Sequence, residues 1–89
     1  MDGETEARLR EVIEAIPVGE VRSYGEVAAL AGVRSARLVG RYLAETPAAV
    51  PWHRVVRADR TFAPHIATRQ ARLLRAEGVR VRNGRVVAR

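Results

Sequence analysis

A chain of 89 residues with 47% hydrophobic content and no long apolar run reads as one soluble globular domain, 1–89, with a modest core and no room for a second functional domain. It has no cysteine, which excludes disulfides, thiolate metal sites and thiol catalysis together. A net charge of +6 and a pI near 11.4 favour polyanionic partners, of which nucleic acid is the commonest.

All 16 basic residues are arginine. Arginine suits bidentate phosphate and base contacts, while codon usage in a G+C-rich genome also explains the missing lysine, so each arginine is judged at its own position. The acidic start Met1-Asp2-Gly3-Glu4 is unlike a secretory signal. A cytoplasmic protein without membrane contact is expected.

From Glu4 to Ile16, Leu9, Val12, Ile13 and Ile16 recur at helical spacing, and Pro17 and Gly19 end the run. Ser23-Tyr24-Gly25-Glu26 is a capping box, predicting a short helix from Tyr24 to Ala31 that Gly32 closes in the left-handed conformation. Ser35 can cap another helix reaching Glu45, with Leu38, Val39, Tyr42 and Leu43 as its buried stripe. The two helices, joined by Gly32-Val33-Arg34, form a helix-turn-helix candidate. Arg34, Arg37 and Arg41 share the face opposite that stripe.

Pro47 and Pro51 predict an extended segment, with Trp52 and His53 in a constrained loop or short strand. Arg57 to His65 reads as an irregular loop. Ile66 to Glu77 forms a last helix through Ile66, Leu73 and Leu74, closed by Gly78. An Asn83-Gly84 type I′ turn then predicts a hairpin that pairs Val81 with Val86. The fold class is mostly α with a small C-terminal β-hairpin, a winged-helix-like helix-turn-helix domain.

Five ordered landmarks carry a family resemblance: 16–21 (Ile-Pro-Val-Gly-Glu-Val), 23–28 (Ser-Tyr-Gly-Glu-Val-Ala), 36–40 (Ala-Arg-Leu-Val-Gly), 51–56 (Pro-Trp-His-Arg-Val-Val) and 76–78 (Ala-Glu-Gly). Residues 51–55 resemble the Pro-Cys-His-Arg-Val signature of the O6-alkylguanine-DNA alkyltransferases, with Trp52 where the alkyl-accepting cysteine belongs. Indole is a poor nucleophile at neutral pH whereas a thiolate is a strong one, so the exchange removes the transfer chemistry. The chain thus resembles the alkyltransferase-like proteins, which recognise alkylated guanine in DNA without repairing it.

The resemblance implies a DNA-binding domain of the alkyltransferase C-terminal type. In it Arg37 is the arginine finger, entering the base stack from the minor groove and occupying the space of the flipped nucleotide. A planar guanidinium can stack between bases and hydrogen-bond the orphaned partner. Tyr24 presses on the phosphate beside the lesion. With Ser35, Gly40 and Arg41 they form the expected DNA-binding set. Small residues Ala28, Ala36 and Gly40 suit close approach of helix to DNA, although helix packing explains them equally well.

Trp52, His53, Arg54, Val55, Arg60 and His65 are the expected lesion pocket. His53 and Glu77 match the residues that activate the transferase thiolate and are expected to persist, with Arg54, as a structural hydrogen-bond network. Two departures stand out. Thr46 takes the place of the usual hinge asparagine before proline, and Arg57 to His65 replaces a tyrosine followed by glycines. His53 and His65 lack a third ligand at metal spacing, so neither metal nor cofactor is expected.

The function implied is non-enzymatic: a damage sensor that binds O6-alkylguanine in duplex DNA, flips it into the pocket and flags it to nucleotide excision repair proteins. As a monomer on DNA it would associate with the nucleoid. The alternative is a helix-turn-helix transcription regulator reading the major groove, which would need sequence preference and usually a dimer.

Overall fold

The computed structural model describes residues 1–46 and 50–88. Helix α1 (Gly3–Glu14) starts at Asp2, whose carboxylate accepts from the Thr5 amide at 2.7 Å, and buries Leu9 and Ile13. It stops two residues before the expected Ile16. There the Ile16 amide bonds the Ile13 carbonyl, a tightened turn that still tucks Ile16 into the core.

Strand β1 (Arg22–Ser23) leads into α2 (Tyr24–Ala31), and both halves of the Ser23/Glu26 capping box are made, at 3.1 and 2.7 Å. Gly32 ends α2 at φ 69°, the left-handed conformation expected of it. Ser35 then caps α3 (Ala36–Glu45) by accepting from the Arg37 amide. Val39, Tyr42 and Leu43 are buried, whereas Leu38 is only half-buried at the edge of the stripe.

The expectation of an extended Pro47 segment falls outside the described residues. Trp52–Arg54, expected as loop or strand, form one 3₁₀ turn: the Arg54 amide bonds the Pro51 carbonyl at 3.1 Å. Proline restricts the residue before it rather than those after, so Pro51 can open a turn. Strand β2 (Val55–Val56) follows and pairs in parallel with β1, Arg22 with Val55 and Ser23 with Val56.

Arg57 to His65 is less irregular than expected. Arg60 turns it at φ 70°, Thr61 bridges to Arg85, and the Arg60 carbonyl accepts from the Val86 amide at 2.9 Å. A 3₁₀ turn (Pro64–Ile66) feeds α4 (Ala67–Ala76), so Ile66 caps that helix instead of opening it. The helix buries Gln70, Ala71 and Leu74, with Leu73 half-buried. Gly78, at φ 88°, lets the chain reverse.

Strands β3 (Arg80–Arg82) and β4 (Arg85–Ala88) form the expected hairpin, with Val81 opposite Val86. Asn83 and Gly84 both have positive φ, 53° and 72°, as a type I′ turn requires.

Two apolar clusters hold these elements. One joins α1, α2 and α3 through Leu9, Ile13, Val27, Val39 and Tyr42, with Trp52 packed on its edge. The other joins Val56, Phe62, Ala71, Leu74 and Val79, and Val81 and Val86 of the hairpin lean on it. Val55 belongs to the first and Val56 to the second, so the short parallel pair is the seam between them. Among the described residues no helix is long and apolar enough to cross a membrane.

Candidate nucleic-acid interface

Helix α3 presents its arginines outward. Arg37 is exposed and its side chain makes no ion pair or hydrogen bond among the described residues. Arg41 instead lies 3.6 Å from Glu45, and both are exposed. Such a pair is worth little in water, yet it leaves Arg37 as the less encumbered charge.

One turn beyond Arg37, Gly40 opens onto a cavity of about 500 Å³. Gly40, Leu43 and Ala44 of α3 form one side, Tyr24 the α2 edge and Trp52 the wall, while Ala63, His65, Ile66 and Arg69 close it around the start of α4. The lining is mostly apolar with a few polar groups, and the volume lies in the range of small-ligand sites. A Cβ built on Gly40 would meet no atom within 4 Å. Helix packing therefore does not require glycine there, and Gly40 is among the residues that line the cavity.

Trp52 is held from two sides. The Arg69 guanidinium sits 5.5 Å from its ring centroid, and the His53 ring meets it edge-on at 6.1 Å. Tyr24 is half-buried, and burial pushes its hydroxyl pKa up while the charge of Arg57 opposes the change. It remains a neutral phenol that can donate a hydrogen bond.

The expected pocket residues separate into two groups. Trp52 and His65 line the cavity, whereas His53, Arg54, Val55 and Arg60 do not. Val55 is buried in the seam of the core, and Arg60 lies beside the hairpin with its guanidinium 3.4 Å from Glu26. His53 and Arg54 turn away because the 3₁₀ turn sends successive side chains to different sides, and Glu77 captures both.

That capture is the expected structural network. Arg54 forks onto Glu77, Nε to Oε1 at 3.0 Å and Nη2 to Oε2 at 2.8 Å, while its Nη1 reaches the Ile16 carbonyl at 2.9 Å. His53 Nε2 donates to Oε2 at 2.8 Å, and the Gly19 amide approaches Oε1 at 3.5 Å. The Arg54 hydrogen bond, with help from His53, pulls the Glu77 pKa down to about 2. Arg54 and Glu77 together thus pin the Trp52 turn to Ile16, just past α1, and to the end of α4. Among the described residues no group of three or more His, Cys, Asp or Glu could hold a metal ion.

Several lining residues escaped sequence reasoning. Ile66 was expected as core and Arg69 was not singled out, although their i, i+3 spacing at the start of an amphipathic helix puts them on one face. Gln70 was missed as well: buried to 2% exposure, it donates to the carbonyls of His53 and Val55 at 3.0 and 2.9 Å.

The family model for the 6-O-methylguanine DNA methyltransferase DNA-binding domain matches residues 4–79. The chain belongs to this family. Within it, a DNA base-flipping protein of Escherichia coli (strain K12) is 45% identical over 80 residues, covering 83% of this chain. The chain spans only 61% of that relative's length. A DNA base-flipping protein of Vibrio parahaemolyticus is 39% identical over 75 residues, covering 79% of this chain and 75% of its own.

The fold matches family members of known structure. Atl1 of S. pombe, in complex with damaged DNA containing O6-carboxymethylguanine, superposes with a TM-score of 0.82 at 30% identity, over 92% of this chain and 82% of that one. The Mycobacterium tuberculosis O6-methylguanine methyltransferase gives 0.72 at 32% identity, over 93% of this chain and 53% of its own. The resemblance to alkyltransferase-like proteins is therefore upheld, as is the expected fold.

Proposed function

We propose that this chain binds O6-alkylguanine in duplex DNA, turns the damaged nucleotide out of the stack and holds it without removing the alkyl group. The observation that carries this reading is the sharing of α3: the helix that projects the unpaired Arg37 also forms, through Gly40, one side of the Trp52 cavity. A wedge and a receptacle one helical turn apart suit a base that leaves the stack and enters a pocket. Relatives known as DNA base-flipping proteins and the complex of S. pombe Atl1 with damaged DNA support it.

In this reading Arg37 enters from the minor groove and fills the gap, while Tyr24 crowds the adjacent phosphate. Trp52 holds the position of the accepting cysteine and offers the alkyl group an apolar wall. No thiol lines the cavity and the Tyr24 phenol is neutral, so the strong nucleophile of the transferases has no counterpart beside the alkyl group. Retention of the lesion, rather than its repair, would then flag the site to nucleotide excision repair proteins. A major-groove transcription regulator would leave the cavity without a role.

A gel-shift titration with two duplexes identical except for one O6-methylguanine tests the proposal. Tighter binding of the methylated duplex, with an intact protein mass unchanged after incubation, is expected. Equal affinity for both, or a gain of one methyl mass, would overturn it.

A further inference from the structure

The far end of α4 carries a second basic surface. A groove of about 520 Å³ runs between the end of α4 and the hairpin, bordered by Arg75, Arg80, Arg82 and Val87. Along β3 the side chains alternate: Val81 leans on the second core cluster, and Arg80 and Arg82 are exposed on the other face. Arg80 pairs with Ala88 but Val81 with Val86, so Val87 is an extra residue in β4 and bulges. It is 47% exposed.

The charge of this groove is uncompensated. Arg75 answers the negative end of α4 and donates to the Val81 carbonyl at 2.9 Å. Arg80 and Arg82 make no ion pair among the described residues. Glu77, the acid nearest in sequence, has both oxygens committed to Arg54 and His53.

The geometry points to this groove as a docking surface for an acidic segment of a partner protein in which carboxylates alternate with an apolar side chain. The carboxylates pair with Arg80 and Arg82, and the apolar group covers Val87. A nucleic-acid backbone would supply the anions but leave Val87 bare. Arg75, at the groove, lies six positions after Arg69, at the Trp52 cavity, about 9 Å along the helix axis. The two sites occupy opposite ends of α4 and share no lining residue. The inference holds whether or not the cavity takes a flipped nucleotide.

Fluorescence anisotropy with the full chain and a labelled synthetic peptide alternating glutamate and leucine tests it. Saturable binding is expected, weakened roughly tenfold in R80Q/R82Q. V87S should bind the leucine peptide no better than a serine-for-leucine version, which the unmodified chain should bind more weakly than the leucine one. Both variants should keep their thermal melting and their affinity for duplex DNA. A peptide alternating lysine and leucine should not bind the unmodified chain, a control that needs no variant to fold.

Three results would each overturn the inference. Absence of binding is the first. Equal binding of leucine and serine peptides by the unmodified chain would reduce the groove to a general polyanion attractor. Duplex affinity falling in step with peptide affinity in R80Q/R82Q would assign the arginines to DNA phosphate.

Discussion

Arg54 and Glu77 form a two-pronged ion pair, 3.0 and 2.8 Å, that fastens the turn carrying Trp52 to the end of the last helix. Because the Glu77 pKa falls from an ordinary 4.5 to about 2 on folding, its carboxylate contributes stability that depends on pH. The contribution is fully present above about pH 5 and is lost as pH falls towards 2. With allowance for solvent screening it is on the order of 2 kcal/mol. Urea unfolding midpoints measured across this range should drop for the unmodified chain. In Glu77→Gln the stability should start lower at neutral pH and lose that part of its acid dependence.

Arg37 has no structural employment in the protein by itself, since its exposed side chain contacts no carboxylate among the described residues. Arg37→Ala should therefore change the unfolding free energy by no more than about half a kcal/mol, read from chemical denaturation. If Arg37 is the proposed finger, offsetting part of a few kcal/mol of unstacking, affinity for an O6-methylguanine duplex should fall by about tenfold or more. Undiminished affinity in a gel-shift titration would count against the finger.

Gly40 separates stability from binding in the opposite sense. A methyl group at this position meets nothing within 4 Å, and replacing a mid-helical glycine by alanine gains about 0.5–1 kcal/mol. Gly40→Ala should melt higher. If the cavity receives the base, the same variant should bind the damaged duplex less tightly; a rise in both would show that the space beside Gly40 goes unused.

Gln70 is the polar group that keeps the Trp52 turn in register with β2, through the His53 and Val55 carbonyls. Gln70→Leu preserves much of the volume but strands two carbonyls that are bonded in the native protein. A loss of about 1–3 kcal/mol is expected in chemical denaturation. Lesion affinity should fall too, since the turn that positions Trp52 loses one of its anchors and keeps only those of His53 and Arg54.

Local rules make much of this fold legible from the chain alone. The Ser23/Glu26 capping box, Gly32, the Ser35 cap and Asn83-Gly84 act within a few residues, so α2, α3 and the hairpin follow from sequence. The ordered landmarks, a family property rather than a spacing rule, also pair His53 and Arg54 with Glu77, 24 and 23 positions away. What the chain could not announce were the contacts without a local signal. Two-residue strands such as β1 and β2 have no periodicity to read, and Ile66 looks like any core residue on an amphipathic helix.

The membership of the cavity was settled only by packing. Trp52, His53, Arg54 and Val55 are contiguous in sequence, yet a single 3₁₀ turn sends one to the cavity, two to Glu77 and one to the core. Sequence determines which residues are available and which helix caps form, because those depend on neighbours along the chain. Which side chain faces which space depends on backbone rotation at the turn, and that is fixed by distant partners: Glu77, Gln70 and the Ile16 carbonyl.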